Sequence, residues 1–211
     1  MNLIKHLNRN FISEMAYALG KDYDFGDNLE ILKSQFKRHN HLAKEFDTFT
    51  INNQTYTIYL FNSNLYTIDE DNNFVNAISI TLVNLKPKLA RFFGGQVISI
   101  CAMQTDIKHR RKGIAKEVIK SLLNKGYCVM GDRIEYENAR RLWASLSNLT
   151  DYTLDIINIE DDCYIARNKK IKNILDEDLW VLYDHPEHTP STIIQLGNSK
   201  ILNTRSIIYK K

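Results

Sequence analysis

The sequence predicts an α/β protein with a mixed, mostly antiparallel central sheet flanked by helices and with extra strands toward its C-terminal side. Three observations carry that prediction. Apolar residues recur at helical spacing near the N-terminus, the period falls to two from Phe46, and strand and helix patterns alternate from Gln96 to Leu149 before strands return. The 211 residues suit one domain, 1–211, with a core at about 28–159 and a strand-rich extension over 160–211. A hydrophobic share of 44% with 25% charged residues excludes a disordered or collagen-like chain.

The elements follow in order. Leu3, Leu7, Phe11, Met15 and Leu19 form a helical apolar stripe, and Gly20 offers a stop. A second helix is expected over Asn28 to His39. Phe46 to Asn52, Thr55 to Phe61 and Asn64 to Ile68 are rich in Thr, Tyr, Phe and Ile and are separated by Asn-rich turns, which predicts an antiparallel meander. Phe74 to Val83 and Gln96 to Thr105 read as longer strands joined by a loop with Pro87 and Gly94-Gly95. A helix over Gly113 to Asn124, a strand over Tyr127 to Met130 and a helix over Tyr136 to Ser147 come next. The expected strands after Leu149 are Tyr152 to Ile159, Cys163 to Ala166, Leu179 to Tyr183, Thr192 to Leu196 and Ser206 to Tyr209. Trp180, in the third of these, alternates like a half-buried strand residue.

The net charge of +3 names no partner by its size, but its placement is informative. Up to Ile100 ten basic residues balance ten acidic ones, whereas Lys108 to Arg141 holds ten basic residues against Glu117, Asp132, Glu135 and Glu137. Cys101, Cys128 and Cys163 are odd in number and widely spaced, so they read as buried thiols rather than a disulfide framework or metal knuckle. The pairs His39/His41 and His185/His188 have no Cys or carboxylate partner in a ligand pattern, so no metal is expected. No apolar run approaches a membrane span and the N-terminus lacks signal-peptide regions, so a cytoplasmic protein without a membrane partner is expected.

One segment carries chemistry. A strand ending in Met103-Gln104-Thr105 feeds the basic loop Lys108 to Lys112, and the loop enters a helix through Gly113-Ile114-Ala115. A helix start exposes N–H groups without internal acceptors, and the macrodipole adds partial positive charge there. Gly113 lets backbone approach a phosphate, Ala115 keeps the first turn narrow, and Arg110, Arg111 and Lys112 add full charges. Arg110-Arg111-Lys112-Gly113-Ile114-Ala115 resembles the acyl-CoA-binding motif of GNAT superfamily N-acetyltransferases, in which Gln or Arg, two residues, Gly, one residue and Gly or Ala follow in that order. The order of elements from Asn28 to Ile159 is similar to that fold, and Ala139 to Leu146 looks like its second motif. The resemblance implies that the amides of Arg111 to Ala115 hold the pyrophosphate of acetyl-CoA or another acyl-CoA. It also implies that Met103 and Thr105 present backbone groups to the pantetheine arm, for direct acyl transfer to an amine.

The resemblance weakens at the acid–base groups. The tyrosine that many family members use to protonate the thiolate falls on Trp143, whose indole N–H is no usable acid. The strand Ile98 to Thr105 carries no Glu to act as a base through water. Placement makes Asp132 the candidate base and Tyr136 the candidate acid, against a plainer reading of Asp132 as a helix cap and Tyr136 as packing. Asp106 and His109 are weaker candidates on the phosphate side. The second motif also resembles GNAT-like proteins of bacteriophages and mobile elements, which implies a nucleic-acid base as an alternative acceptor, with Arg133, Arg140 and Arg141 as phosphate contacts. A catalytically silent interaction or counter-defence protein on the same fold is the third reading.

Overall fold

Asparagine at left-handed backbone positions turns the chain through the first part of the sheet. The computed structural model describes residues 25–93, 96–131, 137–159, 161–167 and 204–210. The stripe from Leu3 to Leu19, the pair Gly94-Gly95, the strands expected at Leu179 to Tyr183 (with Trp180) and Thr192 to Leu196, and His185 with His188 lie outside the described residues. The chain is α/β, with nine strands in a mostly antiparallel sheet of order β1-β2-β3-β4-β5-β6-β9-β7-β8. Its strands are β1 Lys44–Ile51, β2 Gln54–Phe61, β3 Asn64–Asp69, β4 Phe74–Val83, β5 Val97–Thr105, β6 Cys128–Met130, β7 Tyr152–Asn158, β8 Cys163–Ala166 and β9 Thr204–Lys210. The helices are α1 Phe25–His39, α2 Pro87–Ala90, α3 Ile114–Asn124 and α4 Glu137–Ser147. Contacts gather into two units, Met1–Leu82 with Ile100–Ser121 and Val83–Ser99 with Leu122–Lys211.

In the first unit β1 to β4 form the expected meander. Ile51 pairs with Gln54 across Asn52-Asn53, both at positive φ, the turn whose twist matches that of the flanking strands. Asn62 and Asn72, also at positive φ, serve the next two turns. Asp69 secures the β3–β4 turn by accepting from the amides of Asn73 at 2.7 Å and Asp71 at 3.1 Å. One face of this meander carries Tyr66, Ile68, Phe74 and Ala77, which pack with Leu32 of α1. Phe36 of α1 meets the Tyr66 ring at a centroid distance of 5.0 Å.

On the other face Ile58, Leu60, Leu65, Ile78 and Ile80 are buried. The Ser121 hydroxyl of α3 donates to Asp47, which pairs with Ile58 and so belongs to this face. That bond sets the helix bearing buried Ile114, Val118 and Ile119 against it.

In the second unit β9 lies between β6 and β7, pairing antiparallel with both. Asp155 of β7 is fully buried and accepts from the Tyr209 hydroxyl of β9 at 3.0 Å. Burial, with the neighbouring Asp155 carboxylate, pushes that hydroxyl up to about 12, so Tyr209 keeps its proton as a donor. Trp143, Leu146 and Ser147 are buried on α4, which packs on β7. The four-residue helix α2 falls in the loop expected around Pro87; Pro87 opens it, and Asp162 accepts from the amides of Lys88 and Leu89 at 2.9 Å each.

Candidate functional site

β5 and β6 form the one parallel ladder among those described, and it covers only Val97 to Ser99 against Cys128 to Met130. β5 then continues from Ile100 to Thr105 without β6. Burial changes at the same point, because Val97 to Ile100 are buried whereas Cys101 and Ala102, on opposite faces of the strand, are both exposed. The expectation of buried thiols therefore fails for Cys101. It fails also for exposed Cys163 and holds for Cys128. Loss of the β6 neighbour explains the first, and the position of β8 at the sheet edge explains the second.

The far end of β5 is held by β4. Asn76, fully buried, donates from Nδ2 to the Gln104 carbonyl and to Thr105 Oγ1, each at 2.8 Å. The Asp106 amide donates to the Val75 carbonyl at 2.9 Å. The Asp106 side chain accepts from the Lys108 amide at 2.9 Å and so caps the short turn Ile107–His109. This gives Asp106 a structural task. His109 Nδ1 is buried and has no partner among the described residues.

Beyond that turn the backbone alternates in hand. Arg111 has φ +63° and Gly113 has φ +87°, with neither Lys112 between them nor Ile114 after them at positive φ. This irregular backbone runs directly into the first turn of α3, whose N–H groups suit an anion. The Glu117 amide donates to the Gly113 carbonyl at 3.1 Å, which makes Gly113 the cap of α3. The amides of Ile114 and Ala115, at the first two helical positions, have no acceptor among the described residues. A side chain at Gly113 would find nothing within 4 Å, so the approach to the turn is open.

Charge reinforces the same point. Arg110, Arg111 and Lys112 are exposed, and Arg110 Nε donates to the Thr105 carbonyl at 3.1 Å, tying the loop to the strand end. Glu117, the acidic residue in the first turn of α3, is paired with Lys120 at 2.8 Å, which offsets its repulsion of an incoming anion.

The structure thus gathers Met103, Thr105, Arg110, Arg111, Lys112, Gly113, Ile114 and Ala115 within one unit. Asp132, Arg133 and Tyr136 lie outside the described residues, as does the side chain of Arg140. Arg141 is exposed on α4, and Trp143 is buried there. Asn76 is the residue that sequence reading missed. A polar residue inside the apolar run Phe74 to Val83 was its signal. No family model matches the chain, and no curated protein matches it.

Proposed function

We propose that the chain is an acyl-CoA-dependent N-acyltransferase on a GNAT-like fold, with acetyl-CoA or another acyl-CoA as donor and an amine as acceptor. The observation that carries this reading is the turn from Arg110 to Ala115. Left-handed backbone at Arg111 and Gly113, a glycine cap, helix-start amides without acceptors and three exposed cations all fall within these six residues. A pyrophosphate is the ligand that fits such a turn, because it spreads negative charge over several oxygens that can each accept from a backbone N–H. The parallel start of β5 and β6, followed by the run of β5 beyond β6, adds support from the sheet.

In this reading the amides of Arg111 to Ala115 hold the pyrophosphate, and Met103 and Thr105 offer backbone groups to an extended arm. The Thr105 carbonyl already accepts from Arg110, so Met103 is the more available of the two. The bound cofactor supplies the acyl group as an activated thioester. Asp132 takes a proton from the amine, and Tyr136 returns one to the departing sulfur. Transfer is direct, and exposed Cys101 is not acylated on the way.

Isothermal calorimetry with CoA and acetyl-CoA tests the reading. The native chain is expected to bind both, and Gly113→Trp to bind neither. A native chain that binds neither ligand overturns it. Mass spectrometry of protein, small amines and nucleic acid from expressing cells then identifies the acceptor by its new acyl group.

A further inference from the structure

A second cationic surface lies wholly within the unit formed by Val83–Ser99 and Leu122–Lys211. Phe92, two residues after α2, is 57% exposed. It is not a loose side chain. Its ring meets Tyr164 of β8 edge-on at 5.3 Å, and the Arg167 guanidinium sits over both rings, 4.7 Å from the centroid of Tyr164 and 5.9 Å from that of Phe92. Phe93 beside it turns the other way into the core, against Leu89, Cys128 and Ile207. The backbone is therefore anchored while the Phe92 ring faces outward.

Lys88 and Arg91, both exposed, lie within one turn of Phe92, and Lys86 precedes them. Among the described acidic residues close by, Asp162 lies beside the charges of Lys88 and Lys86 and offsets part of them, which leaves Arg91 and Arg167 as the fuller charges. Asp162 accepts from the amides of Lys88 and Leu89, and Asp161 accepts from Asn158 Nδ2 at 2.8 Å. The surface thus offers an aromatic face, a flat guanidinium and a row of cations.

We propose that this surface binds single-stranded nucleic acid, with a base stacked against Phe92 and Arg167 and the flanking phosphates held by Lys88 and Arg91. Stacking favours a single strand, whose bases present their faces, over a duplex, and the cations match the backbone charge. An acidic peptide would satisfy the cations but would cover the exposed ring only by an aromatic residue of its own, whereas every nucleotide carries a base to stack there. The proposal does not rest on acyl transfer, since it concerns another surface and is measured without CoA.

Fluorescence anisotropy with a labelled thymidine oligonucleotide, titrated at several salt concentrations, reads the interaction. The native chain is expected to bind with affinity that falls as salt rises, and Phe92→Ala to weaken binding about tenfold. Phe92→Trp is expected to keep it and to report stacking by quenched indole fluorescence. Lys88→Glu with Arg91→Glu is expected to weaken binding and flatten the salt dependence. Circular dichroism melting of each variant separates lost binding from lost folding. No saturable binding by the native chain overturns the proposal. So does equal binding by native and Phe92→Ala, or equal displacement by polyglutamate and by unlabelled oligonucleotide, either of which marks a general anion surface.

Discussion

Asn76 on β4 donates from one nitrogen to Thr105 Oγ1 at 2.8 Å, so the end of β5 that leads into the cationic turn is fixed by a buried amide one strand away. The same nitrogen serves the Gln104 carbonyl. Replacing Asn76 by Leu leaves that carbonyl with one donor fewer in a dry interior and is expected to cost about 1–3 kcal/mol of stability. Urea unfolding measures the loss. Acetyl-CoA affinity is expected to fall as well, because the strand end loses its register beneath the turn.

Arg111 stands where glycine would be at ease. At φ +63° an L side chain costs about 1–2 kcal/mol, which glycine avoids while giving up part of the gain as chain entropy. Arg111→Gly is therefore expected to leave the melting temperature unchanged or slightly higher while weakening CoA binding several-fold through the lost charge. A clear drop in melting temperature would mean that the guanidinium, not the backbone, sets this turn.

The cap on α2 carries a pH dependence. Slight desolvation raises the Asp162 carboxyl, but the Leu89 and Lys88 amides and the charges of Lys88 and Lys86 more than offset this and hold it below its ordinary value of 3.8. A carboxyl depressed in the folded state stabilises above its unfolded value and loses that contribution as pH falls through the folded one. The Lys88 and Leu89 amide resonances are thus expected to titrate with a midpoint below 3.8, and Asp162→Asn to abolish the titration.

Exposure of Cys101 reopens a mechanistic question that burial would have closed. With direct transfer to the amine, Cys101→Ser is expected to retain turnover within about twofold, and intact-protein mass spectrometry with acetyl-CoA to show no acyl adduct. Loss of turnover together with such an adduct in the native chain would establish a covalent route.

The strands from Phe46 to Val83 are legible in the sequence because alternation and Asn-rich turns are local signals, and their boundaries agree with the structure to within two residues. Helix α2 is not legible in the same way. Four residues set no period, and its cap, Asp162, arrives from far along the chain. The site divides similarly. Gly113 and its cations can be read directly, whereas nothing in the pattern marks Arg111 as left-handed or Phe92 as an outward-facing ring, since both depend on where the backbone turns.

The placement of β9 governs how the second unit can form. Among the described strands, β6 and β7 are joined in the sheet through Thr204–Lys210, which lies more than forty residues beyond β7 in sequence. During synthesis, then, the edge of β7 that pairs with β9 gains that partner only after β9 has left the ribosome. Such late, distant pairing slows folding and exposes an adhesive edge in the meantime. A chain truncated before Thr204 is accordingly one that a cell would meet as a client for chaperones, with Asp155 deprived of the Tyr209 hydroxyl.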